Sequence, residues 1–212
     1  GSIDLGVGTD GFCKAKGYFG TTNGNFGYLV EAAHIQSDGF KELDGGGDTG
    51  FEKNDIMAKF NYDLSSNDFS QIVELKLSYA DEISDETYLG LTDDDFAKDP
   101  NRRYVASQMD KMDWEHSQAL FTHFIGNDTF DVTTRIYRND FERSWFKING
   151  FKGGIVNRDL QEVLADPYDE DNVRFYQILT GQADTVQEYE KIILGDNARE
   201  YYSQGIQSEL YY

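Results

Sequence analysis

Apolar and polar residues alternate with a period of two along several stretches of this chain. The clearest stretch is 69–79, where the odd positions are apolar with one exception and the even positions include Glu74 and Lys76. The stretches 56–64 and 130–137 show the same alternation. Because successive side chains of a β-strand point to opposite faces, each stretch predicts a strand with one apolar and one polar face. Weaker alternation raises the number of predicted strands to eight, the others being Ile3–Gly8, Phe12–Phe19, Phe26–Gln36, Ser117–Ile125 and Tyr201–Tyr211.

The segments between the predicted strands fall into two length classes. The short ones have the composition of hairpin turns and lie at Asp10-Gly11, Asn23-Gly24, 65–68 and 126–128. The long ones cover 38–52, 81–114 and 142–200. Connections as long as the last two are unusual in a soluble sandwich, whereas short turns on one side and long loops on the other are typical of outer-membrane barrels. The pattern favours an all-β fold, namely an antiparallel transmembrane β-barrel.

Two short helices are predicted inside the long connections. Thr92 followed by Asp95 forms a capping-box variant ahead of residues 96–98. The stretch Asp184–Leu194, followed by Gly195, has the composition of a helix that ends in a left-handed glycine. Because both helices lie in loops, we expect them to be surface elements.

Composition and charge exclude several classes of protein. The chain has 39 Asp+Glu against 19 Lys+Arg, a formal net charge of −20, and therefore lacks the cationic footprint of a nucleic-acid binder. It contains no apolar run long enough for a transmembrane helix. Cys13 is the single cysteine, which excludes an intramolecular disulfide and a cysteine-based zinc site. Aromatic residues make up 15% of the chain, and only 2 residues are proline. This composition favours a folded chain with long strands.

No catalytic or metal-binding motif is present. The chain has no G-x-S-x-G sequence and no Walker loop, so we expect a protein that is not an enzyme. The three histidines lack metal-ligand spacing, and an acidic loop that weakly indicates calcium lacks the residue order of a calcium-binding loop. We therefore predict no bound metal and no cofactor. The residues considered for metal binding are His34, His116, His123 and, in the loop, Asp44, Asp48 and Glu52.

Four runs of the sequence match the pattern of a known family. They are NGNFGYLVEAAHIQSDGFKELDGGGDTGF (Asn23–Phe51), DETYLGLTDDDFAKDPNRRYVASQMDKMDW (Asp85–Trp114), FDVTTRIYRNDFERSWFKINGF (Phe130–Phe151) and the closing segment REYYSQGIQSELYY. These runs resemble TonB-dependent outer-membrane receptors, and in particular the subgroup of ferric-citrate receptors. The closing segment is similar to the barrel strand that follows a long outer loop in that subgroup.

The resemblance implies a receptor in the outer membrane of a Gram-negative bacterium that imports a ferric chelate, such as ferric citrate, with energy relayed by TonB. Members of the family enclose an N-terminal plug in a barrel of about 22 strands surrounded by outer-membrane lipid. We therefore expect residues 1–212 to be about eight strands of a larger barrel, part of a single barrel domain. TonB contact is expected through the plug region, which these residues lack.

An anionic chelate needs fixed cations, and the arginine fork suits carboxylates. Arg102 and Arg103 lie in the long 81–114 connection, beside Tyr104. Odd-numbered residues of the 130–147 stretch share one strand face, opposite the apolar side. We predict ligand binding by Arg102, Arg103, Tyr104, Arg135, Arg143, Trp145 and Lys147, with Tyr137 on the same face. The alternative is that these cations only form ion pairs, with Asp93, Asp94, Asp95 or Asp99 in the loop and with Glu74 or Asp131 in the sheet.

Two other architectures remain open at this point. A self-contained eight-stranded outer-membrane barrel with an adhesive or structural role would pair Ile3–Gly8 with Tyr201–Tyr211. A soluble carbohydrate-binding β-sandwich would bury the side of Phe69, Val73 and Leu75 against a second sheet.

Overall fold

The alternating stretches form one large antiparallel sheet in the computed structural model, which describes residues 1–154 and 158–212. The strands are β1 (Ser2–Val7), β2 (Cys13–Asn23), β3 (Phe26–Ser37), β4 (Glu42–Leu43), β5 (Phe51–Asp63), β6 (Ser70–Asp85), β7 (Arg102–Arg103), β8 (Lys111–Gly126), β9 (Asp131–Phe151), β10 (Ile192–Asp196) and β11 (Arg199–Tyr211). The sheet has the order β1-β2-β3-β5-β6-β8-β9, and β10 and β11 both pair with β9. Strands β4 and β7 form a separate short parallel pair. The prediction of an all-β, antiparallel fold is confirmed.

Strands β10 and β11 are two segments of one long strand. Asp196 pairs with Phe146 and Arg199 pairs with Arg143, so the register is unchanged across the interruption. The backbone N–H of Asn197 also donates to the carbonyl of Trp145 at 2.9 Å. With these two segments counted as one, the large sheet has eight strands in chain order within the described residues, as the alternation predicts.

The sheet is open in the described part of the chain. Strand β1 pairs with β2 alone and β11 with β9 alone, so the two edges are not joined to each other. This arrangement differs from the closed eight-stranded barrel. No second sheet covers the apolar side of the described strands, where Leu75 is 37% exposed, which also differs from a β-sandwich.

The two faces of the sheet differ in chemistry, and each is named here for its main residue type. On the apolar face, Phe60, Leu75, Phe121, Ile136 and Ile206 lie side by side across five strands. The predicted side carrying Phe69, Val73, Leu75, Leu77 and Tyr79 belongs to this face. The polar face is stabilised by cross-strand ion pairs, which include Lys59–Glu74 at 3.2 Å and Arg135–Glu209 at 3.1 Å.

All three long connections leave the sheet at the same end, here called the long-connection end. The strands run further toward this end than predicted, because β9 continues to Phe151 and β6 to Asp85. The connections are correspondingly shorter, at 38–50, 86–110 and 152–191. Ile148 and Phe151, near the end of β9, are both buried although one has an even and the other an odd number, so this part does not show the apolar–polar alternation from which the strands were predicted.

Three short helices lie in these connections: α1 (Asp93–Lys98), α2 (Leu160–Ala165) and α3 (Val173–Leu179). The predicted start of α1 is confirmed, since the hydroxyl of Thr92 accepts from the backbone N–H of Asp95 at 3.2 Å. The predicted helix over Asp184–Leu194 is wrong. A 3₁₀ turn at Glu188–Glu190 leads there into β10, because the backbone of this segment pairs with β9. No helix in the described residues has the length and apolarity needed to cross a bilayer.

The largest buried apolar cluster in the described residues joins the end of β9 to a unit here called the loop layer (residues 86–110, 152–154 and 158–191). Side chains from α2, α3 and the 86–110 connection pack on the end of β9. Helices α2 and α3 are therefore core elements, which the sequence did not predict. Helix α1 is exposed apart from Asp95, as expected for a surface element. The cluster comprises Leu89, Tyr104, Ile148, Phe151, Leu160, Val163, Leu164, Phe175, Tyr176, Ile178 and Leu179.

Candidate functional site

Arg102 joins two of the long connections. Its guanidinium donates from Nε and Nη2 to the carboxylate of Asp44, at 2.9 to 3.1 Å. Its Nη1 also lies 3.2 Å from Oδ2 of Asp95, and its guanidinium lies over the ring of Tyr104, with 5.2 Å to the ring centroid. The bond to Asp44 raises the pKa of Arg102. Asp95 was an anticipated ion-pair partner of Arg102, whereas Asp44 was not. The two acids occupy the guanidinium group that was predicted to bind the ligand.

Tyr104 lies in the core of the loop layer and not on a ligand surface. Its side chain is 1% exposed, and its hydroxyl donates to Oδ2 of Asp95 at 2.7 Å. The hydroxyl of Tyr176, on α3, donates to the same oxygen at 2.5 Å. The predicted ligand contact of Tyr104 is therefore replaced by a structural role. Its burial could not be inferred from its position beside two arginines.

Asp95 is the centre of this buried group. Burial alone would raise the pKa of its carboxyl, but hydrogen bonds from Tyr176 and Tyr104 and the charge of Arg102 outweigh that effect. The pKa of Asp95 is therefore lowered, and the carboxylate stays ionised at neutral pH. Through it, α1, α3 and the Arg102–Asp44 pair are held together.

Arg103 points away from this group. Its Nη1 donates to the carbonyls of Pro100 and Arg102, at 2.9 and 2.6 Å. The burial of Lys41 lowers the pKa of its ammonium, and the nearby charge of Arg103 lowers that pKa further. The two carbonyl bonds hold the Arg103 side chain against its own connection.

The predicted row on β9 is brought together at the long-connection end of the polar face. Arg143, Trp145 and Lys147 share this face, since the pairing of β9 with β8 is uninterrupted up to Phe146. The guanidinium of Arg143 lies 5.6 Å from the Trp145 ring centroid, and the ammonium of Lys147 lies 4.4 Å from it. Lys147 also lies 3.4 Å from the ring centroid of Tyr88. We call these four residues the cation–aromatic patch.

Two acids hold the aromatic rings of the patch in place. The indole N–H of Trp145 donates to Oε2 of Glu86 at 2.7 Å. Asp110, which is 3% exposed, accepts the backbone N–H of Tyr88 at 2.9 Å and that of Ile148 at 2.8 Å. Asp110 thereby fixes the 86–110 connection against β9 and sets Tyr88 beside Lys147. Burial raises the pKa of Asp110 against the opposing effect of these hydrogen bonds.

A further cation, Arg199, adjoins the patch. It is the direct cross-strand partner of Arg143, so the two arginines share the polar face. Like charges directly opposite one another destabilise a sheet. Within the described residues, no carboxylate oxygen lies within 4.0 Å of Arg143, Arg199 or Lys147. The Nε of Arg143 is buried and has no hydrogen-bond partner in the described structure.

Arg135 lies apart from the patch. It shares the polar face with Arg143 but sits nearer the short-turn end of β9, where it pairs with Glu209 at 3.1 Å. Neither anticipated partner, Glu74 or Asp131, holds it. The predicted ligand residues therefore fall into separate groups, and one of these contains unpaired cations beside aromatic rings.

Positive charge is concentrated on the polar face of the whole sheet. In the described strands of the large sheet, the apolar face carries two cations, Lys111 and Arg138. The pairing places the others on the polar face: Lys14, Lys16, Lys53, Lys59, Lys76, Arg135, Arg143, Lys147 and Arg199. Five of these nine cations are paired with acids of the same face, namely Lys14, Lys16, Lys53, Lys59 and Arg135. Although the chain has a net charge of −20, the cations Arg143, Lys147 and Arg199 at the long-connection end can attract an anion locally.

Metal ligation finds no support among the described side chains. No group of three His, Cys, Asp or Glu residues is placed there to hold a metal ion. Asp44, the first residue of the weak calcium pattern, is bound to Arg102. His34 contacts Asn54 at 2.8 Å, His123 contacts Gln71 at 2.9 Å, and His116 packs beside Phe141.

The sequence did not single out four residues of this site, namely Glu86, Tyr88, Asp110 and Arg199. Tyr88 and Asp110 reach the patch from a connection, and their distance from β9 along the chain gives no sign of the contact. Arg199 lay in a segment predicted to be loop, so its pairing with Arg143 was not considered. An extension of the last strand by two residues would have revealed that pairing. Comparison with protein-family models, with curated proteins and with solved structures gave no match for this chain.

Proposed function

We propose that this chain forms part of an outer-membrane receptor of the TonB-dependent type, which binds an anionic iron chelate at the long-connection end of its polar face. The observation that carries the proposal is the single-layer sheet with an exposed apolar face. Ile56 is 55% and Leu77 43% exposed on this face. Broad apolar exposure of this kind marks an interaction surface. A lipid bilayer is a cover that such a sheet can have without a second protein layer.

Aromatic residues near the short-turn end support a membrane location. Phe69 and Phe130 pack together with ring centroids 6.2 Å apart, and Phe26 packs against Phe60 at 6.4 Å. Transmembrane barrels carry girdles of aromatic residues where the apolar band meets the lipid headgroups. The open edges β1 and β11 support the expectation of a larger barrel, since both could pair with further strands.

The polar face supports the choice of an anionic ligand. It would line the lumen of a barrel whose apolar face meets lipid, and its unpaired cations cluster where the long connections meet the sheet. The identity of the anion as a ferric chelate, ferric citrate or a comparable complex, comes from the sequence resemblance. Energy relayed by TonB through a plug region belongs to the same proposal.

The membrane part is tested by spin labels on the two faces of β6. In a Cys13→Ser background, single cysteines at Leu75 and Leu77 carry nitroxides on the apolar face, and cysteines at Lys76 and Ser78 serve as matched positions on the polar face. In lipid vesicles, we expect high oxygen accessibility at the first pair and high accessibility to a water-soluble nickel chelate at the second. Equal nickel accessibility on both faces would contradict a membrane location.

The ligand part is tested by equilibrium binding of ferric citrate to the full chain. Arg143→Ala should weaken binding about 10- to 100-fold, because a charge-assisted contact in a partly desolvated site contributes about 1.5–3 kcal/mol. Arg138→Ala is the matched control, since Arg138 lies on the apolar face and pairs with Asp140. Equal losses of affinity in the two variants would show that the cation–aromatic patch is not part of the binding site.

A further inference from the structure

Aromatic side chains form a continuous strip across the polar face beside the patch. Phe141 lies at its centre, and its ring centroid is 5.9 Å from that of Trp114, 6.1 Å from that of Tyr201 and 6.3 Å from that of His116. These four residues come from three neighbouring strands, β8, β9 and β11. We call them the aromatic strip.

The strip and the patch are continuous. Arg143 lies directly between Trp114 and Arg199 in one cross-strand row, and Trp145 follows Arg143 on the same side of β9. Tyr88 meets Trp145 edge-on with ring centroids 5.5 Å apart. Tyr201 is 47% and Tyr88 51% exposed at the two ends of this surface. Ring faces and unpaired cations therefore alternate on one surface.

We propose that the anion recognised here carries flat aromatic rings, as in an iron complex of catecholate or phenolate groups; this inference rests on the proposed function. Cations attract the charge of any anionic chelate, but aromatic side chains gain most from another ring, which packs on them in offset or edge-on geometry. Ferric citrate has carboxylates and no ring, so it can use the cations alone. An aryl chelate uses both kinds of side chain.

The rings have a second conceivable role, since cross-strand aromatic pairs also stabilise sheets. The two roles differ in a measurable way. Rings that only stabilise the sheet would affect unfolding and would leave the choice between two anions unchanged. Rings that contact ligand would affect that choice.

The experiment compares a ferric catecholate complex with ferric citrate, both titrated into the full chain. Trp114 and Trp145 are the only tryptophans of the sequence, and both lie on this surface. Quenching of intrinsic tryptophan fluorescence therefore reports binding at the site itself. We expect the catecholate complex to bind about 10-fold more tightly than ferric citrate, from ring packing on at least two side chains.

Two variants test which rings are responsible. Phe141→Leu and Tyr201→Leu should each weaken catecholate binding about 3- to 10-fold and leave ferric citrate binding unchanged. Phe121→Leu, on the apolar face, is the matched control and should change neither. The unfolding midpoint of each variant is measured in parallel, and if Phe141→Leu does not fold, the exposed edge residue Tyr201 carries the test.

The outcomes separate the two proposals. Ferric citrate binding as tightly as the catecholate complex, or equal losses for both ligands in the ring variants, overturns this inference and leaves the proposed function standing. Ring variants that change only the unfolding midpoint also overturn it. Binding of neither complex overturns the proposed function and this inference together.

Discussion

Arg143 on β9 and Arg199 on β11 face each other as direct cross-strand partners, and within the described structure neither has a carboxylate at ion-pair distance. A sheet selected for stability alone would place an acid at one of these positions. Arg199→Glu should therefore stabilise the chain by about 0.2–1 kcal/mol, because it turns a repulsive pair into an attractive one. The same change should weaken ferric citrate binding about 10-fold by removing a cation from the site. Urea unfolding and equilibrium binding measure the two effects.

A matched control adds an acid without relieving repulsion. Ser203 lies on the same face of β11, opposite Asn139. Ser203→Glu should leave the free energy of unfolding unchanged within about 0.5 kcal/mol. Stabilisation by both changes would show that added negative charge, and not the arginine pair, is responsible.

On β6, the cost in stability of introducing an arginine should differ strongly between the apolar face and the polar face. Leu75→Arg should destabilise the protein in lipid vesicles by roughly 2–4 kcal/mol if it lies near the bilayer midplane. Ser78→Arg, on the polar face of the same strand, should change the free energy of unfolding little. Unfolding in vesicles followed by tryptophan fluorescence measures both, and similar costs would argue against lipid contact.

Asp110 is expected to act through the residues that it positions. Asp110→Ala leaves two backbone N–H groups without their partner, at Tyr88 and Ile148, and each should cost about 1–3 kcal/mol of stability. With Tyr88 released, the cation–aromatic patch loses a ring, and binding of a ferric catecholate complex should weaken several-fold although Asp110 touches no ligand. Asp113→Ala, at an exposed position of β8, is the control. If Asp110→Ala left the affinity unchanged, Tyr88 would not contribute to ligand recognition.

The pH dependence of the loop layer follows from the lowered pKa of Asp95. A carboxyl whose folded pKa lies below its ordinary value of 3.8 contributes stability at pH above 3.8. That contribution is lost as the pH falls through the lower, folded pKa. We expect the difference in unfolding free energy between the natural chain and Asp95→Asn to shrink on acidification below pH 3.8.

Alternation along the chain was sufficient to predict the existence and faces of the eight strands, although not the positions at which they end. The reason is that successive residues of a strand point to opposite faces, so the apolar or polar character of each residue, as at Leu75 and Glu74, indicates the face on which it lies. The β9 row was predicted for the same reason, since the parity of Arg143, Trp145 and Lys147 holds while the strand is regular.

The loop layer could not be predicted in the same way. Its helices are short, so they contain too few turns to show a helical period, although Asp159 and Glu162 do form a capping box at the start of α2. Its central contacts join distant parts of the chain, such as Arg102 to Asp44 and Tyr176 to Asp95. Spacing along a sequence carries no information about such pairs, and nearby acids were therefore the expected partners.

The length of β9 has a consequence for how such a protein meets its surroundings. Ile136 belongs to the apolar row, whereas the strand continues from Arg138 to Phe151 beyond it. At about 3.3 Å per residue and a tilt of about 45°, this part of the strand would rise about 30 Å above the hydrocarbon. In a bacterial envelope, the loop layer would then stand clear of the lipid headgroups. Antibodies, proteases and phage would encounter it before any other part of the chain.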